Sequence, residues 1–129
     1  MSSNVPERPA PSLPSAPVPA ARRSPGAGAF AELTTIGAGG GFRELVEASS
    51  EEEIVEAVRA ADAEGRPLMM LGGGSNVLAS DDYFDGVVVR DARQDVVLVQ
   101  EGGCEGANLR VTAGTPWDAF VVHTIEREW

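Results

Sequence analysis

The stretch "PLMMLGGGSNVLASDD", residues 67–82, closes an apolar run at Leu71 on three consecutive glycines, Gly72, Gly73 and Gly74. Ser75 and Asn76 come next, before apolar character resumes with Val77 and Leu78. A glycine-rich loop at the end of a strand brings backbone close to a phosphate, because glycine permits positive φ and has no Cβ to hold the ligand off. The three glycines can present successive N–H groups to a pyrophosphate, with the Ser75 hydroxyl and the Asn76 amide as further donors. A tight turn or a bulge uses the same glycines without any ligand, and the residue types alone leave both readings open. Two better-known phosphate loops are excluded. A P-loop needs Gly-Lys-Ser/Thr, and the chain contains no lysine. A dinucleotide fingerprint needs a third glycine and a following helix, whereas "GGGSNV" lacks the glycine and "SNVLASDDYFDG" reads as strand and turns.

Other reactive side chains are sparse. The single cysteine, Cys104, excludes an internal disulfide framework, and with one histidine, His123, it leaves too few soft ligands for zinc. Cys104 lies in a glycine-rich turn and carries no redox assignment. His123 follows Val121 and Val122 on a helix, with no carboxylate to orient it as a base. Asp81, Asp82 and Asp85 read as a solvated turn rather than a metal site. No catalytic residue and no metal ligand is therefore assigned.

Composition narrows the partners. The 129 residues carry a net charge of −10, and all ten basic residues are arginine. Nucleic acid, which requires clustered cations to neutralise phosphates, is excluded as a partner. A small anion is not, since backbone N–H groups can hold it. No run approaches the roughly 20 apolar residues of a membrane helix, and prolines interrupt every candidate signal-peptide core. A cytoplasmic protein without membrane contact is expected.

The elements that must position the loop follow from periodicity. Seven of the nine prolines lie in the first 25 residues among Ala and Ser. Residues 1–28 are thus expected to form a disordered tail, leaving 29–129 as the domain. Thr34 to Ile36 reads as a short strand, Gly37 to Gly41 as a turn and Phe42 to Ala48 as a second strand. Ser49 and Ser50, with Glu52 and Glu53 three residues on, form a capping-box pattern ahead of Ile54, Val58 and Ala61, with Val55 and Ala57 widening the apolar face. A helix over 50–64, stopped by Gly65 and Pro67, follows. Pro67 to Leu71 reads as a strand buried on both faces, completing a strand–helix–strand unit. Asp81, Asp82 and Asp85-Gly86 read as turns. Strands are expected at 86–90, 96–100 and 107–113, the last two as a hairpin turning at Gly102, Gly103 and Gly106. "GTPWDAFVVHTIEREW" predicts a helix capped by Thr115 with Pro116 at its first position, and with Trp117, Phe120, Val121 and Ile125 in one buried stripe.

"EGRPLMMLGGGSNVLASDDYFDGVVVR" resembles the flavin-binding segment of the UDP-N-acetylenolpyruvoylglucosamine reductase family, with its strand, Leu-Gly-x-Gly-Ser-Asn-hydrophobe-Leu, acidic turn and Gly-hydrophobic strand. Upstream "LTTIGAGG" is similar to that family's Asn-Thr-Phe-x-x-Gly-Gly, with Thr34 and Ile36 departing from it. Downstream "VTAGTPWDAFV" is similar to its Val-x-Ala-Gly-x-x-Trp-x-x-Leu run. The three motifs occur in order across roughly residues 31–125. The resemblance implies an α+β fold, the N-terminal portion of an FAD-binding domain of the vanillyl-alcohol-oxidase (PCMH) type. It also implies a pyrophosphate site formed by Leu71, Gly72, Gly73, Gly74, Ser75, Asn76, Val77, Leu78, Ala113 and Gly114. No histidine stands at the loop for covalent attachment, so FAD is expected to be noncovalent. The family takes NADPH as co-substrate and a UDP-sugar enolpyruvyl ether as substrate. Its catalytic serine, arginine and glutamate fall in sequence corresponding to positions after Trp129, so a domain incomplete at its C-terminus, inactive alone, is expected. A noncatalytic truncated product, or another FAD-dependent oxidoreductase of this fold, is the alternative.

Overall fold

The computed structural model of the chain describes residues 22–25, 28–102 and 106–129. In order these form β1 (Arg22–Pro25), α1 (Phe30–Leu33), β2 (Phe42–Ala48), α2 (Glu51–Ala63), β3 (Leu68–Leu71), β4 (Phe84–Asp91), β5 (Val96–Gly102), β6 (Gly106–Val111) and α3 (Trp117–Glu126). A four-stranded sheet has the order β1-β2-β4-β3, and β5 and β6 make a separate two-stranded sheet. This segregated mixture of helices and sheets is the α+β arrangement expected.

β4 takes the centre between β2 and β3, parallel to both. Its "VVV" segment explains the position: Val87, Val88 and Val89 are 4%, 0% and 0% exposed, so the strand offers apolar side chains to both faces. β2, α2 and β3 are consecutive as expected, but β4 lies between the two strands. Asp85 and Gly86, read as a turn, are inside β4, because the ladder with β2 begins at Phe42 opposite Phe84.

α2 covers one face. Ser50 Oγ accepts from Glu53 N–H at 3.2 Å, and the Glu53 carboxylate accepts from Ser49 N–H at 2.7 Å, a reciprocal cap shared by the two serines. Ala57 and Ala61, with Ile54 at the edge, pack on Val46, Ala48, Val87 and Val89. Val55, assigned to the apolar face, is instead exposed. The opposite face holds Phe30, Phe42, Leu71 and Val88, with Leu45, Met69, Val77 and Ala79 packed against them.

Several expectations are corrected. Thr34 to Ile36 is a turn, and the ordered element there is the one-turn helix α1. Phe30 enters the core edge-on to Phe42 at 5.3 Å, and its N–H donates to Gly40 O at 2.9 Å beside an isolated antiparallel bridge between Ala29 and Gly41, so the sheet-like pairing here lies on either side of Thr34 to Ile36. β3 is not buried on both faces: Leu68 packs beside Ala57 and Ala61 of α2, but Met70 is 47% exposed on this edge strand of the four-stranded sheet. The boundary of the tail also moves. Arg22–Pro25 pair antiparallel with β2, Arg22 opposite Glu47 and Pro25 opposite Glu44. Composition argues only against a side-chain core, whereas an open sheet edge pairs with backbone of any sequence and tolerates proline. The rest of the proposed tail, residues 1–21 and 26–27, lies outside the described residues.

The β5–β6 hairpin forms as expected, from Val96 opposite Val111 to Gly102 opposite Gly106. Gly103 and Cys104 lie outside the described residues. α3 starts one residue later than expected: Pro116 is its N-cap, and the Thr115 hydroxyl sits 3.2 Å from that of Thr112 instead of capping the helix. The buried stripe on α3 does not form. Trp117 and Ile125 are 71% and 70% exposed, and the buried residue is His123, whose Nδ1 lies 2.8 Å from Nη1 of the Arg127 guanidinium.

Candidate glycine-loop cofactor site

β3 delivers Leu71, 2% exposed, into the core and the chain then leaves the sheet as a loop over residues 72–83. This loop returns across the face opposite α2, seating Val77 and Ala79 against the Phe30 and Phe42 cluster. All three motifs that the sequence singles out meet there. Gly74 O accepts from Thr35 N–H at 3.0 Å, tying the loop to the first motif, and Gly40 N–H donates to Ser80 O at 2.7 Å. A Cβ on Gly72 would lie 2.5 Å from Ala113 O, so the third motif presses directly on the loop.

The glycines thus divide. Gly74 has φ +70, and a Cβ there would stand 2.0 Å from Leu33 O. Gly72 and Gly74 are glycine because neighbouring backbone occupies the space a side chain needs. Gly73 is different: a Cβ there meets nothing within 4 Å. This corresponds to the variable position in Leu-Gly-x-Gly.

The remaining predicted residues separate in the same way. Leu71 and Val77 serve the core, Leu78 is 75% exposed, and Ser75 and Asn76 are exposed. Among the described residues the N–H groups of Gly73, Gly74, Ser75 and Asn76 donate to no group of the chain, nor do the Ser75 and Asn76 side chains. Four successive N–H groups with two adjoining polar side chains form a donor set suited to a pyrophosphate. The residues present fit the flavin nucleotide implied by the motif, and the steric role of Gly72 and Gly74 in the turn leaves these donors open to it.

Sequence reasoning missed Asp91 and Arg93. Asp91, 4% exposed at the end of β4, accepts from Arg93 N–H at 3.0 Å and from its guanidinium at 2.9 Å through each carboxylate oxygen. The next turn presses on the backbone of the same strand end: a Cβ on Gly114 would lie 2.2 Å from Asp91 O and 2.6 Å from Arg93 O. Burial by itself raises the carboxyl, but the Arg93 hydrogen bonds and charge outweigh it, and Asp91 stays below the usual carboxylate range. An Asp and an Arg two residues apart at a strand end were the available signal, but nothing in the spacing links them to residue 114.

Among the described residues no group of three His, Cys, Asp or Glu side chains comes together as potential metal ligands. Asp82 accepts from Ser80 Oγ at 2.9 Å, and Asp85 pairs with Arg43. Nor is any helix among the described residues long and apolar enough to cross a membrane.

Comparison with known proteins agrees with this geometry. A family described as FAD binding domain matches residues 43–129. A UDP-N-acetylenolpyruvoylglucosamine reductase of Cutibacterium acnes is 48% identical over 100 residues, covering 78% of this chain and 26% of the relative. The protein of that name from Nocardia farcinica is 46% identical over 96 residues, 74% of this chain and 23% of the relative. That of Streptomyces avermitilis is 34% identical over 122 residues, 95% of this chain and 31% of the relative. The chain therefore spans about a quarter to a third of the length of these relatives. From the matched span, the α+β fold and the meeting of three motifs at one loop, the chain belongs to the FAD binding domain family, and its similarity runs to the UDP-N-acetylenolpyruvoylglucosamine reductases.

Proposed function

We propose that the chain is the FAD-holding part of an NADPH-dependent reductase acting on an enolpyruvyl ether of UDP-N-acetylglucosamine, in peptidoglycan precursor synthesis. The observation that carries this reading is the run of undonated N–H groups at Gly73 to Asn76, in a loop whose shape is fixed by Ala113 and Leu33. These N–H groups hold the pyrophosphate, noncovalently, while Ser75 Oγ and the Asn76 amide supply further donors. Leu71 and Val77 anchor the two ends of the loop in the core, and Ala113 and Gly114 form its far wall. The chemistry supplied by bound flavin is a hydride relay from NADPH to the enolpyruvyl ether. No catalytic residue is assigned to this chain, and turnover is attributed to the longer proteins it resembles. A cytoplasmic location suits the nucleotide-sugar substrate and NADPH. On charge and hydropathy, neither nucleic acid nor membrane is proposed as a partner.

The test is titration of FAD into the chain, followed by quenching of flavin fluorescence. Loss of a hydrogen bond to a charged group costs about 1.5–3 kcal/mol, so Ser75→Ala with Asn76→Ala is expected to weaken FAD by tenfold or more without changing the fold. An affinity identical in the double variant would remove these side chains from the site. No saturable flavin binding by the parent chain would sink the cofactor reading.

A further inference from the structure

We propose that Phe30 is a positioning residue for the cofactor loop, acting through the one-turn helix α1 that it anchors; this rests on the FAD reading above. The span that matches the FAD binding domain family begins at residue 43, so α1 and the turn after it stand ahead of that span. Phe30 is 3% exposed, edge-on to Phe42 at 5.3 Å and tilted against Phe84 at 6.0 Å. Those two residues begin β2 and β4 and are paired in register, so α1 is seated on the start of the parallel strands. The same buried cluster holds Leu71, where the loop leaves β3, and Val77 and Ala79 pack against it where the loop returns. Only a glycine fits between Phe30 and the returning chain: a Cβ on Gly39 would lie 2.7 Å from Phe30 Cβ and 2.8 Å from Ala79 Cβ.

Three residues beyond Phe30 the helix meets the donor array. Leu33 O fills the space beside Gly74, and Thr35 N–H donates to Gly74 O at 3.0 Å. The peptide unit is planar and trans, so a Gly74 carbonyl held on Thr35 turns the Ser75 N–H the opposite way, off α1 and out of the fold. Thr34, 9% exposed, keeps this turn closed: its O accepts from Gly37 N–H at 3.2 Å and its Oγ1 donates to Ala38 O at 3.5 Å. On the return side, Gly40 N–H donates to Ser80 O at 2.7 Å. α1 has four residues, too few to hold a helical turn by its own hydrogen bonds, and Phe30 is its buried residue. The place of Leu33 and Thr35 against Gly74 therefore depends on the Phe30 ring. A donor array loses its value when its supporting shell is loose, since productive geometry tolerates displacements of only about 0.5 Å. β3, which carries the loop, is an edge strand, so α1 supplies the support that a further strand would otherwise give.

Two readouts on the full chain test this. Amide hydrogen exchange, without FAD, reads the positioning itself. The Thr35 and Gly40 amides, whose bonds cross to the loop at Gly74 O and Ser80 O, should exchange faster in Phe30→Ala, relative to the amides of α2. FAD affinity reads the consequence: coupled sites typically influence each other by about 5–150-fold, and a weakening of about tenfold is expected. Because such coupling is reciprocal, FAD should in turn slow exchange at Thr35 and Gly40 in the parent. Phe30→Leu keeps an apolar side chain but loses the edge-on ring, so it should fall between parent and alanine variant, and it keeps the test open should the alanine variant fail to fold. Val89→Ala, which opens the opposite face under α2, compares a loss of stability alone: its urea midpoint should fall with FAD affinity unchanged. Phe30 variants whose folded fraction binds FAD as tightly as the parent, or an equal weakening in Val89→Ala, would show a merely structural residue and overturn the proposal. So would unchanged exchange at Thr35 and Gly40 in both Phe30 variants. Should the parent bind no FAD, the cofactor reading fails, and unchanged or accelerated exchange at Thr35 and Gly40 still decides whether Phe30 sets the loop.

Discussion

At the scale of single residues, the three adjacent glycines are not equivalent, and the difference is measurable. Gly72→Ala drives a methyl into Ala113 O, and a backbone oxygen cannot rotate away as a side chain would. Overpacking of this kind costs about 1–3 kcal/mol, so its urea midpoint should fall. Gly73→Ala meets open space, and restricting the unfolded chain there contributes about 0.4–1 kcal/mol of stability. Its midpoint should stay level or rise; a fall as large as that of Gly72→Ala would show that the loop is packed otherwise. Asp91 sets a pH dependence. Its folded carboxyl lies lower than in the unfolded chain, burial being outweighed chiefly by the Arg93 hydrogen bonds and charge, so the unfolded state binds the proton more readily. The stabilisation is complete above the ordinary carboxylate range near pH 4 and is lost as pH falls through the depressed folded value. Urea denaturation at about pH 6 and about pH 3 should therefore show a smaller acid loss in Asp91→Asn than in the parent. Equal losses would mean that other carboxylates carry the acid sensitivity.

At the scale of elements, α2 and α3 make opposite cases. α2 has a capped start, an apolar face and a sheet to cover, and its boundaries were legible because Ser50, Glu53 and Gly65 act within a few residues of each other. Removing the cap should cost what caps usually cost: Ser50→Ala is expected to lower stability by about 1 kcal/mol, read as a lower thermal midpoint with unchanged far-UV circular dichroism. An unchanged midpoint would mean that Ser49 and Glu53 sustain the cap alone. α3 has an equally clear pattern in sequence, yet Trp117, Val122 and Ile125 lie exposed. Periodicity gives the existence of a helix and its apolar residues, but not what covers them. Likewise the apolar run at Leu68–Leu71 correctly indicated a strand, while its place at the sheet edge, which leaves Met70 half exposed, depends on where β4 goes.

At the scale of the whole molecule, stability should be uneven. β2 and β4 hold the densest core, with Val46, Ala48, Val88 and Val89 at most 1% exposed, whereas no strand packs extensively against α3. Hydrogen exchange is expected to be slowest in β4 and β2 and far faster in α3, because local opening follows local burial. Equal protection of α3 and β4 would mean that the helix is held by contacts beyond those seen here. The sequence by itself determined the strand β2, the helix α2, the hairpin, the phosphate-suited loop and its kinship with flavin-binding segments, since each rests on residues close together along the chain. Only the tertiary structure decided that β4 separates β2 from β3, that Arg22–Pro25 add an edge strand, that Phe30 begins a helical turn instead of leading into a strand, and that Gly114 packs against the backbone of Asp91. Those outcomes depend on backbone hydrogen bonds and steric contacts between distant segments. Such contacts leave no periodic trace in a single sequence, because any residue's N–H and C=O can make them.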